Sequence, residues 1–148
     1  MKKLIILLLV VSLMPLNVFA AAKPYKDVSK KSVGKDALVA ITAIKGYGGY
    51  NGVVKGKKFY PQKKATRNWT YKVLKNLYGK DKVPSRKNLD KKATPRWLTS
   101  LLVAIAEKIG IPITWDDNSK KALSRALCSQ YIKVFIDFDS AFKPGQSQ

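Results

Sequence analysis

Two arginines in this chain of 148 residues are set apart by what precedes them. Arg67 follows Thr66, and Arg125 follows Ser124, 58 positions further on. A guanidinium presents a planar fork of N–H donors that grips a carboxylate or phosphate through paired bonds. Thr66 can N-cap a helix, and each arginine is expected in a first helical turn, beside backbone N–H groups that favour anions. The alternative is that both arginines close neighbouring loops by donating to carbonyls. The residue types allow either arrangement. The other cations are mostly lysines, with Arg86 and Arg96 the only further arginines.

Other chemistry is thinly represented. The sequence has no His, which removes Ser–His and Cys–His nucleophile pairs and His-ligated metals. Glu107 is the only Glu and can pair with Lys108 or nearby lysines. A glycosidase needs two carboxyls at a set separation. Asp116-Asp117 and Asp137-x-Asp139 read instead as helix-end residues, with Asp116 and Asp117 placed to cap the helix that follows them. The single Cys128 lies in a helical apolar pattern and reads as a buried, inert thiol. Asn68-Trp69-Thr70 is a sequon, but it falls in a helix start. No catalytic residue, metal site or cofactor is expected, and the chain reads as non-enzymatic.

The N-terminus has three parts of a secretory signal. Met1-Lys2-Lys3 is positive, Leu4 to Leu13 is apolar, and Val18-Phe19-Ala20 suits cleavage after Ala20. The apolar run is shorter than the ~20 residues a spanning helix needs. The expectation is a signal peptide over 1–20, secretion to the cell surface or periplasm, and no transmembrane segment after cleavage. The full sequence holds 29 Lys and Arg against nine Asp and Glu, a net charge of +20. Loss of Lys2 and Lys3 leaves +18 on the mature chain. Such a charge argues for an anionic partner rather than a merely solvated surface. The candidates are an anionic cell-wall polymer or an acidic surface partner. No specific nucleic acid is expected, and oligomers are allowed.

Positioning the two arginines requires helices. Lys63-Lys64-Ala65-Thr66-Arg67, Lys91-Lys92-Ala93-Thr94-Pro95-Arg96 and Lys120-Lys121-Ala122-Leu123-Ser124-Arg125 look alike, with Lys35-Asp36-Ala37 a weaker fourth. Each alanine opens an apolar run with i, i+3, i+4 spacing. Helices are expected near Asp36–Lys45, Thr66–Tyr78, Pro95–Ile109 and Ser124–Phe135. Thr66 and Thr94 read as N-caps, with Pro95 at N1, and Gly46, Gly79 and Gly110 as C′ glycines. Between the first two helices, Gly46-Tyr47-Gly48-Gly49-Tyr50-Asn51-Gly52 reads as an ordered loop. Tyr47 and Tyr50 there are either core plugs or stacking surfaces for sugars, and Val53-Val54 is a candidate short strand. Lysine pairs before the second and fourth helices predict positive potential at those helix starts.

In order and spacing the residues resemble the S-layer homology family. Tyr25-Lys26-Asp27-Val28 resembles the opening of its repeat. Gly56-Lys57-Lys58-Phe59-Tyr60-Pro61 resembles the end of its loop, and Ala65-Thr66-Arg67 its Thr-Arg step. Trp97 sits where the family often has Trp at the head of a first helix, and Ser124-Arg125 resembles a second step. The chain departs from the family in having room for two units rather than three, and in lacking the Gly-x-Phe-x-Pro stretch in the second. The resemblance implies an all-α domain over 23–145 with two helix–loop–helix units, about 24–79 and 80–138, four main helices and the Gly/Tyr-rich loop. It also implies non-covalent attachment to anionic wall polysaccharide in grooves between units. Arg67, Arg125, Thr66 and Ser124 are then the leading contacts, with Tyr50 and Trp97 as ring surfaces.

Overall fold

The computed structural model describes residues 23–139, 141 and 142. The signal-peptide expectation over 1–20 and the end of the 23–145 domain lie outside those residues. The described chain is mostly helical. A one-turn α1 (Lys30–Val33) leads into α2 (Lys35–Gly46), and α3 (Arg67–Tyr78), α4 (Pro95–Ile109) and α5 (Arg125–Phe138) follow. Among the described residues there is no sheet, only two isolated bridges, Lys64 with Ser124 and Thr66 with Lys92. None of these helices is long and apolar enough to cross a membrane.

The helix starts are set by local chemistry. The side chains of Thr66, Thr94 and Ser124 accept from the N–H of Trp69, Trp97 and Leu127, three residues into each helix. Each such cap is worth about 1 kcal/mol. Gly79 and Gly110 end α3 and α4 with positive φ. Gly46 does not act as a C′ glycine: it is the last residue of α2, Tyr47 is the cap, and the left-handed turn falls at Gly48 with φ 79°. Asp116 and Asp117 do not cap α5 either, because Ser124 holds that position. Asp117 instead accepts from the Tyr131 hydroxyl at 2.5 Å and the Ser119 N–H at 3.0 Å, which lowers its pKa.

The starts of α3, α4 and α5 meet in a closed ring of backbone hydrogen bonds. Ala65 N–H donates to Leu123 O, Leu123 N–H to Ala93 O, and Ala93 N–H to Ala65 O, each at 2.9 Å. Ala65 and Ala93 are fully buried and Leu123 is 2 % exposed. The ring therefore has three equivalent stations, at residues 65, 93 and 123, each one residue before a cap. This shifts the third repeat by one residue: Leu123, not Ala122, is the counterpart of Ala65 and Ala93. Ala37 has no place in the ring. It sits inside α2, which lies along α5.

The same register organises the core beneath. Four residues past each cap lie Thr70, Leu98 and Cys128, and eight past lie Leu74, Leu102 and Ile132, all fully buried. Each buried aliphatic side chain there contributes about 2 kcal/mol of burial free energy. Cys128 Sγ lies 3.3 Å from Thr70 Oγ1, and burial pushes the thiol up to about 12. It is the inert buried thiol its apolar setting predicts.

The Gly/Tyr-rich loop is plugged into this core. Gly49 is required by close packing, since an added Cβ would stand 2.6 Å from Ile44 Cγ2. Asn76 Nδ2 donates to Gly49 O and Asn51 O at 3.0 and 2.9 Å, tying the loop to α3. Val53 and Val54 form no strand; both N–H groups donate to Tyr50 O in a turn.

Candidate functional site

Each ring station carries the start of one helix beside the next. At two stations, the arginine that opens one helix lies over a tryptophan of another. The Arg67 guanidinium is 5.4 Å from the Trp97 ring, and that of Arg125 is 5.3 Å from the Trp69 ring. Arg67 and Arg125 are both N1 residues, and Trp69 and Trp97 are both N3 residues. The stations place Pro95 where the third arginine would be and Leu127 where the third ring would be. The third groove accordingly lacks both parts of the pair.

The two grooves are open clefts. One, of about 470 Å³, is lined by Arg67, Thr94, Arg96, Trp97, Ser100 and Lys120. The other, of about 290 Å³, holds Arg125, Thr66 and Trp69 with Lys63, Lys64 and Lys92 among its walls. No acidic residue lines either. Trp97 keeps part of its surface exposed, whereas Trp69 is only 7 % exposed.

The arginines differ in what they already hold. Arg125 Nη1 donates to Phe59 O at 2.8 Å. Burial lowers the Arg125 pKa, and nearby Asp27 offsets part of that shift. The Arg67 guanidinium has no hydrogen-bond partner among the described residues, and its buried Nε is unsatisfied. Nε of Arg125 and Nε1 of Trp69 are likewise buried without partners. Of the two arrangements the sequence allows, Arg125 takes the loop-closing one and Arg67 does not.

The backbone at these helix starts gives no help to an anion. Arg67 N–H and Asn68 N–H donate to Lys91 O and Leu89 O, both at 2.8 Å. Arg125 N–H and Ala126 N–H donate to Lys63 O and Pro61 O at 2.9 and 3.0 Å. With each N3 N–H taken by its cap, the free helix-end donors expected beside the arginines are absent, because carbonyls of the neighbouring connections take the first two. Any anion here must be held by side chains.

Of the site residues expected from sequence, Arg67 and Trp97 come together in one groove, and Arg125 and Thr66 in the other. Ser124 serves as the cap of α5 and lies in neither described cleft. Tyr50 is not a ring surface. It is 2 % exposed, stacks on Trp69 at 5.8 Å, and shares a 2.6 Å hydrogen bond with Ser129. Tyr47 packs edge-on against Phe142 at 5.2 Å. The expected carboxylate partner of Lys108 is also missing: among the described residues its Nζ donates to Asp81 O at 3.2 Å. Sequence reasoning missed Arg96 and Lys120 as groove residues. Arg96 is visible as the N2 residue after the Thr94-Pro95 start; Lys120 belongs to the lysine pair expected to charge the start of the last helix, and it lines the Arg67 groove instead.

No family model matches this sequence, and no curated protein or solved structure matches it either. The likeness to S-layer homology repeats rests on the residues of this chain alone.

Proposed function

We propose that this chain is a secreted, basic, non-catalytic binding protein that attaches to anionic cell-wall or cell-surface polysaccharide. The Arg67 groove is its grip. The observation that carries this reading is Arg67 itself, a guanidinium laid over a partly open tryptophan ring and unpartnered among the described residues. Its groove has Arg96 and Lys120 beside it and no acid. An arginine fork takes a carboxylate or phosphate in two bonds, and the Trp97 ring offers a flat face to a sugar. The order of motifs shared with S-layer homology repeats points the same way.

Binding of the mature chain to isolated wall material tests the reading. Arg67→Lys keeps the charge and loses the fork, and is expected to fold normally. A charge-assisted paired contact is worth roughly 1.5–3 kcal/mol, so wall binding should weaken about ten- to a hundredfold. Unchanged binding in this variant overturns the groove. A second reading, a secreted effector or inhibitor that binds an acidic partner protein, is favoured by one observation. Leu127, Val134 and Phe138 are 42, 44 and 62 % exposed and share one face of α5. Capture of a protein that survives Leu127→Ser and Phe138→Ser counts against that alternative.

A further inference from the structure

We infer that the bound polysaccharide does not end at the arginine grooves but runs on, over the Gly52 rim, into a second basic cleft built around Tyr25 and Lys45. This extends the reading of the ligand as an anionic polysaccharide and assigns a site apart from the Arg67 grip.

The second cleft has a volume of about 470 Å³, and Lys23, Lys26, Lys45 and Lys57 line it. It has no acidic lining residue. Lys45 Nζ lies 4.5 Å from the Tyr25 ring and donates to Pro24 O, which fixes the floor. The adjoining groove at Arg125 is equally one-sided, with Lys55, Lys63, Lys64, Lys72 and Lys92 around it. The 52–57 segment is the wall between the two: Val53 and Lys55 line one side, and Val54, Gly56 and Lys57 the other. Gly52 alone lines both. It is exposed, has φ 68°, and has open space where a Cβ would stand, so it makes a low point in the wall.

Charge is what joins these parts. Residues 37–80 contain nine lysines and Arg67 without one Asp or Glu. Like charges gathered in low-dielectric concavities repel and cost stability. A linear polyanion laid along them removes that cost and releases counterions in proportion to the contacts made. A single anionic group in one groove would leave the other cleft uncompensated.

The lining also favours a glycan over nucleic acid. Single-stranded nucleic acid is held by bases stacking on open aromatic faces. The rings here are closed to it. Tyr25, Tyr50 and Trp69 are 8, 2 and 7 % exposed, and each packs on another ring. What remains is a row of ammonium groups, suited to a chain whose charges repeat along a polar backbone.

The test compares trigalacturonic acid with polygalacturonic acid and poly(glycerol phosphate), using the mature chain and a Lys23→Gln/Lys26→Gln/Lys57→Gln variant. Lys45 stays, because it holds Pro24. Wild type should bind at least one polymer more tightly than the trimer, per anionic group. In the triple variant that polymer should bind about tenfold more weakly, and the slope of log affinity against log salt should fall by about two, with trimer binding unchanged. Gly52→Asp, which sets a carboxylate on the rim, should weaken polymer binding and spare the trimer. Polymer affinity equal to wild type in both variants overturns the track while leaving the Arg67 grip intact. Trimer binding that ignores Arg67→Lys overturns the grip instead. Single-stranded DNA showing the same length-dependent gain, lost in the same variant, overturns the glycan assignment.

Discussion

Arg67 and Arg125 occupy equivalent positions, yet only one of them is a clamp. Each follows a hydroxyl cap, each is the first residue of its own helix, and each lies over the N3 tryptophan of another helix. The difference comes from the loop beside them. Arg125 meets the 56–61 stretch, where Phe59 is held from three directions. Its N–H donates to Asp27 Oδ1 at 2.8 Å, its carbonyl accepts from Arg125, and its ring packs on Tyr25, Tyr50 and Trp69. Tyr60 follows with φ 57°, a left-handed conformation costly for a tyrosine, and its N–H donates to Asp27 Oδ2 at 2.7 Å. Arg67 meets no such loop, so its donors stay unclaimed among the described residues. Equivalent positions in a repeat fix where a side chain starts; the non-repeated loop decides what it does.

Removing the pieces of the clamp should therefore cost stability, and removing Arg67 should not. The largest effect is expected at Asp27. Asp27→Ala deletes two charge-assisted bonds to the backbone of Phe59 and Tyr60 and should destabilise the fold by about 3 kcal/mol or more. Arg125→Lys keeps the charge but loses the bond to Phe59 O and the flat contact with Trp69. A loss of about 2 kcal/mol is expected in chemical denaturation. Arg67→Lys should stay within about 0.5 kcal/mol of wild type. Equal costs for the two arginines would mean that the loop is not what separates them.

Beneath the stations the comparison continues at Thr70 and Cys128, the same position in α3 and α5. Cys128→Ala removes the sulfur and its contact with Thr70 and should cost about 1 kcal/mol. The native thiol has a pKa raised to about 12 by burial, so almost no thiolate forms at ordinary pH. Its reaction with a thiol reagent should be slow at neutral pH and climb steadily with pH through about pH 9, without the plateau an exposed thiol reaches near its ordinary pKa of about 8.5, and become fast only on unfolding. A fast rate that levels off near about pH 8.5 in the native protein would place the thiol in reach of solvent.

The parts of the fold that sequence predicts are those with local causes. Thr66 and Thr94 announce their helices because a cap and its N3 N–H lie three residues apart, whereas Ser124 takes the cap expected of Asp116 and Asp117. The buried faces of α2 and α3 follow from helical spacing, but that of α5 does not: Leu127 and Val134, at the spacing of an apolar stripe with Phe135, are 42 and 44 % exposed, and Cys128, Ile132 and Ile136 are buried instead. Nor does the ring register follow from local spacing. Lys120-Lys121-Ala122 matches Lys63-Lys64-Ala65 by residue type, yet the backbone bonds pair Leu123 with Ala65 and Ala93. Backbone pairing ignores side-chain identity, so likeness in sequence misplaces it by one residue. Tyr50 was ambiguous for a related reason. Its glycine neighbours suggest a surface loop, while the hydroxyl that pairs with it, on Ser129, lies 79 positions away.

The station at residue 93, the third to be compared, offers the finest comparison of backbone, because one missing donor separates its bridge from the other two. At the stations of residues 65 and 123, the N1 residue donates to the segment before the neighbouring helix: Arg67 N–H to Lys91 O at 2.8 Å and Arg125 N–H to Lys63 O at 2.9 Å. Those bonds complete the bridges of Thr66 with Lys92 and of Ser124 with Lys64. By the same register, the third bridge would join Thr94 with Ala122 through a bond from residue 95 to Lys121 O. Pro95 has no N–H to give, so that bridge is absent although Leu123 N–H already donates to Ala93 O at 2.9 Å. Pro95→Ala supplies the donor. Gain of a hydrogen bond and loss of the preset proline φ oppose each other, so stability should change by less than about 1 kcal/mol. The decisive reading is hydrogen exchange: the new amide at 95 should be protected to a degree similar to those of Arg67 and Arg125. Rapid exchange at 95 would show that the third station departs from the ring by geometry, and not only by the lack of a donor.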